Sequence, residues 1–205
     1  MIREEALKIL NEKVKTPNLI KHCLAVEAVM AELADYFSAQ GRSDSEESSD
    51  SMSGSASGGN DDRNKWALAG LLHDIDYEET KDEPEQHSLK GAQFLESLGI
   101  ESEIVSAVKK HNNVHGLTRE TKIEKALFCA DPITGLIVAA ALVLPDKKIS
   151  VLTPDNVLNR FKEKGFAKGA NREHIAACSE LDLTLEQFIA LSLSAMQKIS
   201  VEIGL

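Results

Sequence analysis

The sequence is poor in aromatic residues, paired cysteines and long apolar runs. Phe, Trp and Tyr make up only 4% of the 205 residues, although apolar side chains together reach 42%. The longest apolar run, ITGLIVAAALVL, has twelve residues, whereas a helix that spans a bilayer needs about 20. The charged start MIREEALKIL contains no signal-peptide core. We therefore expect a soluble protein whose core is built from Leu, Ala, Ile and Val, a composition typical of packed helices.

The cysteines are few and widely spaced. Cys23, Cys129 and Cys178 form no C-x-x-C pair. This pattern is typical of buried free thiols in a reducing compartment, and it offers no ligands for a structural zinc site. The expected location is the cytosol.

One segment lacks both basic and large apolar side chains. Between Ser43 and Asp62, six of the 33 acidic residues occur without any Lys or Arg, in a chain of net charge -10. Met52 is the only apolar side chain larger than alanine in residues 38–62, SAQGRSDSEESSDSMSGSASGGNDD. Such a segment cannot bury enough surface to offset the entropy of ordering. We predict that residues 38–62 are a disordered insertion within a single domain that spans residues 1–205.

No segment is basic enough to indicate binding of duplex nucleic acid. Residues 146–172 carry seven Lys and Arg residues against three acidic ones. This mild excess is consistent with a solvated helical face or with a surface facing an anionic small molecule. The predicted partner is therefore a small molecule, with no duplex nucleic acid and no membrane, and the oligomeric state stays open.

Strand patterns are also scarce, and helical spacing with capping residues covers most of the chain. The expected helices begin at Pro17, cover Asn64–Asp74, Pro84–Leu98, Glu101–His111, Arg119–Asp131 and Ile133–Leu144, and resume after Thr153, Asn171 and Thr184. Gly99 is the expected C-terminal cap of the third. The predicted fold class is an all-α bundle.

Six ionisable side chains lie on or beside the apolar stripes of these helices. They are His22, His73, Asp74, His87, His111 and Asp131. A single histidine on an apolar stripe is more often a hydrogen-bonded core residue. Burying all six separately would, however, require a partner for each, whereas a shared divalent metal would satisfy them together. Neutral imidazole and carboxylate ligands suit Fe, Mn, Co, Ni or Zn.

The order of these residues resembles the HD superfamily of metal-dependent phosphohydrolases, an all-helical fold. His22, the pair His73-Asp74 in LLHDID, and Asp131 match the four residues that bind one metal ion in that family. His87 in HSLKGAQFL and His111 in VKKHNN resemble the additional histidines of the binuclear subset. In that subset the aspartate of the HD pair bridges two ions, so the resemblance implies two metals.

The finer likeness is to the small stand-alone HDIG-type hydrolases, in the HD motif and in CADPITGLIVAAALV. Asp76 stands where the HDIG motif has glycine, and Tyr77 stands where a lysine often follows the HD pair. No GYP motif follows His111. Hydrolysis of cyclic dinucleotides of the HD-GYP kind is therefore not expected.

The resemblance implies a phosphohydrolase that cleaves a nucleotide or another phosphate ester with a metal-activated hydroxide, with His73 and Asp74 as its catalytic pair. One alternative is a di-iron HD-type oxygenase acting on a small phosphonate or polyol substrate, because some HD proteins use the same six ligands for that reaction. Another is an inactive metal-binding or nucleotide-binding module.

Candidates for substrate contacts are weaker. Lys90 and Lys110 lie beside expected ligands and could contact phosphate, but they could equally be solvated. His115 could also contact the substrate, but we favour its interpretation as an exposed loop histidine. His174 is expected on a helix surface.

Overall fold

A computed structural model describes the backbone of residues 1–46 and 58–205, and the side chains of residues 1–41 and 61–205. All regular structure within these ranges is helical, which confirms the predicted all-α class. The α-helices are α1 (Arg3–Lys13), α2 (Pro17–Glu46), α3 (Gly58–Leu72), α4 (Tyr77–Thr80), α5 (Leu89–Ser97), α6 (Ser102–Lys110), α7 (Lys122–Leu142), α8 (Pro154–Lys162), α9 (Arg172–Ala176), α10 (Leu185–Lys198) and α11 (Ser200–Ile203). Short 3-10 turns cover Asn113–His115, Ile149–Val151 and Ala177–Leu181.

Two helices organise the core. Helix α2 packs along α3, and α7 packs against α2, α6, α8, α9 and α10. The side chains between them are aliphatic and fully buried, as at Leu33, Leu72 and Ile137. At Gly70 a side chain would collide with the α2 backbone near Val26 and Glu27, so this glycine permits the close approach of α2 and α3. That contact brings the end of α3 to the middle of α2.

Several predicted helix starts are confirmed. The side chains of Thr153, Asn171 and Thr184 each accept a hydrogen bond from a backbone N–H in the first turn of the helix that follows. Gly99 lies just past α5 at φ +71°, the left-handed conformation that the predicted cap requires.

The predicted break at Pro132 is wrong, because α7 runs continuously from Lys122 to Leu142 with this proline inside it. A proline in a helix interior costs about 3 kcal/mol. Three fully buried side chains follow it in the same helix, Ile133, Leu136 and Ile137. Each contributes about 1.5–3 kcal/mol on burial, which outweighs the cost of the proline.

The predicted start of α5 at Pro84 is also wrong. The helix begins at Leu89, and residues 84–88 form turns. Ser88 has a left-handed backbone at φ 71°, and its hydroxyl donates to the carbonyl of Lys109. This conformation is incompatible with a helix, so His87 lies in a turn and not on a helix face as predicted.

Helices extend into both ends of the predicted insertion, since α2 continues to Glu46 and α3 begins at Gly58. The two boundaries predicted for the insertion, residues 38 and 62, therefore fall within α2 and α3. Residues 47–57, the centre of the predicted insertion, lie outside the described residues.

Among the described residues, one helix, α7, is long and apolar enough to cross a bilayer by length and composition. Its most apolar stretch is 61% buried inside the fold. A core helix of a globular bundle passes the same test, and α7 packs against α3 as well as the five helices named above. We therefore interpret α7 as the central helix of the bundle.

Candidate metal centre

The six predicted ligands come from five different parts of the fold and meet at one place. His22 lies in the second turn of α2, and His73-Asp74 forms the turn directly after α3. His87 precedes α5, His111 caps the end of α6, and Asp131 lies in the middle of α7. The HD pair thus follows the end of a core helix, and both of its side chains are buried.

One half of the centre, called subsite A, consists of His22, His73, Asp74 and Asp131. The Nε2 atom of His22 lies 3.1 Å from Oδ1 of Asp131 and 3.7 Å from Oδ2 of Asp74. The Nε2 atom of His73 lies 3.5 Å from Oδ2 of Asp74 and 3.9 Å from Oδ1 of Asp131. The two imidazole Nε2 atoms are 3.2 Å apart.

The other half, subsite B, consists of Asp74, His87 and His111. Here the second oxygen of the carboxylate is used, because Oδ1 of Asp74 lies 3.3 Å from Nε2 of His87 and 3.6 Å from Nε2 of His111. Asp74 therefore faces both subsites, one oxygen to each.

Every imidazole presents Nε2 to the centre and engages its Nδ1 outside it. The Nδ1 contacts are His22 with Thr134 Oγ1 at 3.1 Å, His73 with the Gly70 carbonyl at 2.8 Å, His87 with Asp76 Oδ1 at 3.0 Å, and His111 with the Val108 carbonyl at 2.7 Å. A carbonyl or carboxylate accepts from the Nδ1 proton and leaves Nε2 with its lone pair free for a metal. This arrangement is the usual outer contact of metal-binding histidines.

Asp76 is a residue of the site whose role the sequence did not reveal. One carboxylate oxygen accepts from Nδ1 of His87, and the other accepts from the backbone N–H of Gly91 at 2.7 Å. The residue is only 5% exposed, and a Cβ atom at position 91 would lie only 3.1 Å from the carboxylate carbon, a tight contact. Asp76 thus holds the ring of His87 in place.

Thr134 has the matching position beside subsite A. Its hydroxyl lies near Nδ1 of His22 and donates to the backbone carbonyl of Asp131. The spacing of one helical turn from Asp131 was a signal that could have identified it, because residues three apart share a helix face. Nothing local marks Asp76, since Gly91 lies 15 positions further on.

The electrostatics of the centre favour ionised carboxylates and a neutral His73. Burial alone would raise the pKa of Asp74, but His73, His111 and His87 hold that pKa well below its ordinary value. The pKa of Asp131 is also lowered, because the contact with His22 outweighs its burial. Burial lowers the pKa of His73 to about 4, against the opposing charge of Asp74.

The partly buried histidines respond differently. Burial opposes the charged form of His87, yet Asp74 and Asp76 together raise its pKa to about 10. The pKa of His22 is raised as well, because Asp131 outweighs its burial. Without a cation, the protons on these rings balance the carboxylates.

The donor set fits divalent cations. Ligands about 2.0–2.2 Å from one cation lie about 3–4 Å apart, and the contacts within each subsite fall in that range, from 3.1 Å to 3.9 Å. His73 and His111 are buried, whereas the side chains of His22 and Asp131 are 24% and 36% exposed. The centre therefore opens to solvent on the side of Asp131, where a substrate can reach it.

The structure does not bring the weaker candidates into the centre. Lys110 forms an ion pair with Glu124 at 2.8 Å, and Lys90 contacts Glu83 at 3.5 Å. The Nε2 atom of His115 lies 2.8 Å from the backbone carbonyl of His87. His115 thus supports the turn that holds a predicted ligand, without facing the centre itself.

A comparison with protein families gives a match to the HD domain over residues 19–136, which is more than half of the chain. All six residues of the two subsites fall inside this range. No solved structure gives a significant match. Domains of this family are generally metal-dependent hydrolases, and the buried histidine and aspartate groups found here could hold divalent metal. The chain belongs to the HD-domain family.

Proposed function

We propose that this protein is a metal-dependent phosphohydrolase with a binuclear centre, which cleaves a nucleotide or another small phosphate ester. The observation that carries the proposal is the Asp74 carboxylate, whose two oxygens face two separate pairs of imidazoles. A bridging carboxylate between two nitrogen-rich subsites is an arrangement that holds two cations close together.

In this proposal His22, His73, Asp74 and Asp131 hold one divalent ion, and Asp74, His87 and His111 hold the other. The ions, when bound, would acidify a water molecule to a hydroxide and neutralise charge on the phosphoryl oxygens. Fe, Mn, Co, Ni and Zn all suit these donors.

Other residues of the chain orient the histidine ligands and determine from which side the centre is accessible. Asp76 and the backbone carbonyls of Gly70 and Val108 set the rings of His87, His73 and His111, so that Nε2 of each faces the centre. The apolar side chains of Leu71 and Leu72 exclude water behind the HD pair. The exposed edge at Asp131 leaves one side on which an ester can approach.

The test is a screen for phosphate release. The protein is purified without oxygen, its metal content is measured, and nucleotides and other phosphate esters are supplied with Mn, Fe, Co or Ni. We expect release with at least one ester. Oxygen uptake without release would replace the proposal by the di-iron oxygenase, and metal binding with neither reaction would indicate an inactive binding module.

Asp74→Ala sharpens this test. Removing the shared carboxylate should lower the affinity for both ions by more than the 10–100-fold typical of losing an outer contact, and should remove phosphate release. The matched control is Asp82→Ala, because Asp82 is exposed and lies outside both subsites. Full metal content and turnover in Asp74→Ala would refute the assignment of the centre.

The proposal also includes the cellular compartment and the type of binding partner. All three cysteines are buried free thiols, which is consistent with a protein that functions in a reducing compartment such as the cytosol. The partner in this proposal is a small molecule, not duplex nucleic acid or a membrane.

A further inference from the structure

Arg119 lies over the ring of Phe128, which is one helical turn before Asp131 on α7, and has no ion pair with any residue that the structure describes. Its guanidinium carbon is 3.5 Å from the centre of the Phe128 ring. Its Nε atom is buried and has no hydrogen-bond partner among the described residues. A guanidinium that is stacked on an aromatic ring and has no carboxylate partner among the described residues keeps its charge available for binding an anion.

A second donor lies at the same aromatic ring. The imidazole of His174, in α9, is 4.3 Å from the Phe128 ring, measured between ring centres. Burial lowers the pKa of His174, the charge of Arg119 lowers it further, and the charge of Asp131 raises it. His174 is therefore close enough to both Arg119 and Asp131 to be influenced by their charges. His174 is less a surface residue than predicted, because it packs on this ring.

The position along α7 connects this cluster to the centre. Phe128 precedes Asp131 by three residues, so the two side chains are neighbours on one face of the helix. Asp131 is also the most exposed residue of the centre. Phe128 itself is buried and packs against Arg119 and His174, so an elongated substrate that reaches the ions past Asp131 would extend towards these two side chains.

We propose that Arg119, held on Phe128 and assisted by His174, binds a second anionic group of the substrate, such as a second phosphate, while the reacting phosphoryl group lies at the ions. The substrate class is then a phosphate ester with at least two anionic groups. This inference rests on the proposed function for the reaction, but the anion site itself can be tested without turnover.

The first experiment measures binding of inorganic phosphate to the metal-free protein by calorimetry, with the imidazole NMR signals of His174 as a local reporter. Arg119→Met keeps an unbranched apolar stem over Phe128 and removes the charge. We expect the dissociation constant to rise about tenfold or more in this variant, and the His174 signals to lose their response to phosphate. Arg119→Lys should restore part of the affinity.

The matched control is Arg63→Met, because Arg63 is an exposed arginine whose partner is Asp35 at 3.0 Å. It should bind phosphate as the wild type does. Equal binding by wild type and Arg119→Met, or a wild type that binds no phosphate, would overturn the site. A lower melting temperature in Arg119→Met with unchanged phosphate binding would show that Arg119 only packs on Phe128, which also overturns it.

The second experiment compares methylenediphosphonate with methylphosphonate on the metal-loaded protein. If Arg119 binds a second anionic group, Arg119→Met should weaken the diphosphonate more than the monophosphonate. An equal loss for both ligands would refute a separate second group. If phosphate binding depends on Arg119 but no ester is hydrolysed, the proposed function fails while the anion site stands.

Discussion

Asp76 offers the sharpest test of how the centre is organised. Its two carboxylate oxygens accept from two different donors, Nδ1 of His87 at 3.0 Å and the backbone N–H of Gly91 at 2.7 Å. The asparagine in Asp76→Asn has nearly the same shape but only one accepting oxygen. The variant can therefore satisfy one of the two donors and must fail the other.

Both orientations of the new amide are unfavourable. If its oxygen faces His87, its NH2 group opposes the Gly91 N–H, and a buried donor without a partner costs about 1–3 kcal/mol. If its oxygen faces Gly91, its NH2 group donates to Nδ1 of His87 and places the ring proton on Nε2, the atom that faces Asp74. In either case His87 is a poorer ligand.

The expected loss is confined to subsite B. Removing an outer contact of a metal-binding histidine lowers affinity about 10–100-fold, which is about 1.4–2.8 kcal/mol. We expect Asp76→Asn to weaken one of two bound ions by this factor, measured by competition with a chelator, and to leave the ion held with His22 and Asp131 at wild-type affinity. Because the ion at subsite A should be unaffected, its affinity is an internal control for correct folding of the variant.

Asp82→Asn is the external control, because it makes the same chemical change at an exposed position of the same turn region. It should match the wild type in both metal affinities. If Asp76→Asn also keeps both affinities, the ring of His87 does not need this carboxylate. If the affinities for both ions fall equally, the two subsites do not bind their ions independently, and the division into subsites A and B is wrong.

Three further predictions follow from other parts of the chain. Glutamine in place of either His87 or His111 should reduce bound metal from two ions towards one per chain, measured by metal analysis, and two ions in both variants would refute subsite B. Residues 47–57, replaced by a Gly-Ser linker of equal length, should leave the melting temperature and metal content nearly unchanged, whereas a large fall in either would show that this segment contacts the body. The pKa of Glu124 is lowered to about 2 because the contacts with Lys110 and Ser106 outweigh its burial, so its stabilising effect is present above about pH 4.3 and is lost as the pH falls towards 2. In urea unfolding, Glu124→Gln should remove about 2 kcal/mol of that pH dependence, because the full pKa shift corresponds to about 3 kcal/mol and solvent screens part of it. Identical pH profiles for the variant and the wild type would contradict this explanation.

The sequence predicted the helical class and the set of side chains that converge, because both depend on regular patterns. Apolar spacing placed one ionisable residue near each buried stripe, and capping residues such as Thr153 and Thr184 marked where helices begin. The structure brings His22 and Asp131, 109 positions apart in the sequence, to 3.1 Å. Whether these side chains bind metal stays a prediction.

The errors came from places where packing outweighs local preference. Pro132 normally ends a helix, but the buried side chains that follow it keep α7 continuous. Pro84 normally begins one, but the left-handed backbone at Ser88 delays α5 to Leu89. Asp76 was recognised as a departure from the HDIG motif, but its role depends on Gly91 and could not be read from adjacent residues.

Asp76 also explains a difference between the two halves of the centre. His22 has a neutral hydroxyl at its Nδ1, Thr134, whereas His87 has the carboxylate of Asp76. A carboxylate makes the imidazole a more basic ligand and favours its charged form, which is why the pKa of His87 is raised to about 10 by Asp74 and Asp76 together, against its burial. A cation that binds at subsite B must first displace the proton from His87. Once bound, the cation is coordinated by a ring that is more basic than that of His22. We therefore expect the two ions to differ in affinity, and Asp76→Asn to lower only the affinity of the ion at subsite B, by about 10–100-fold.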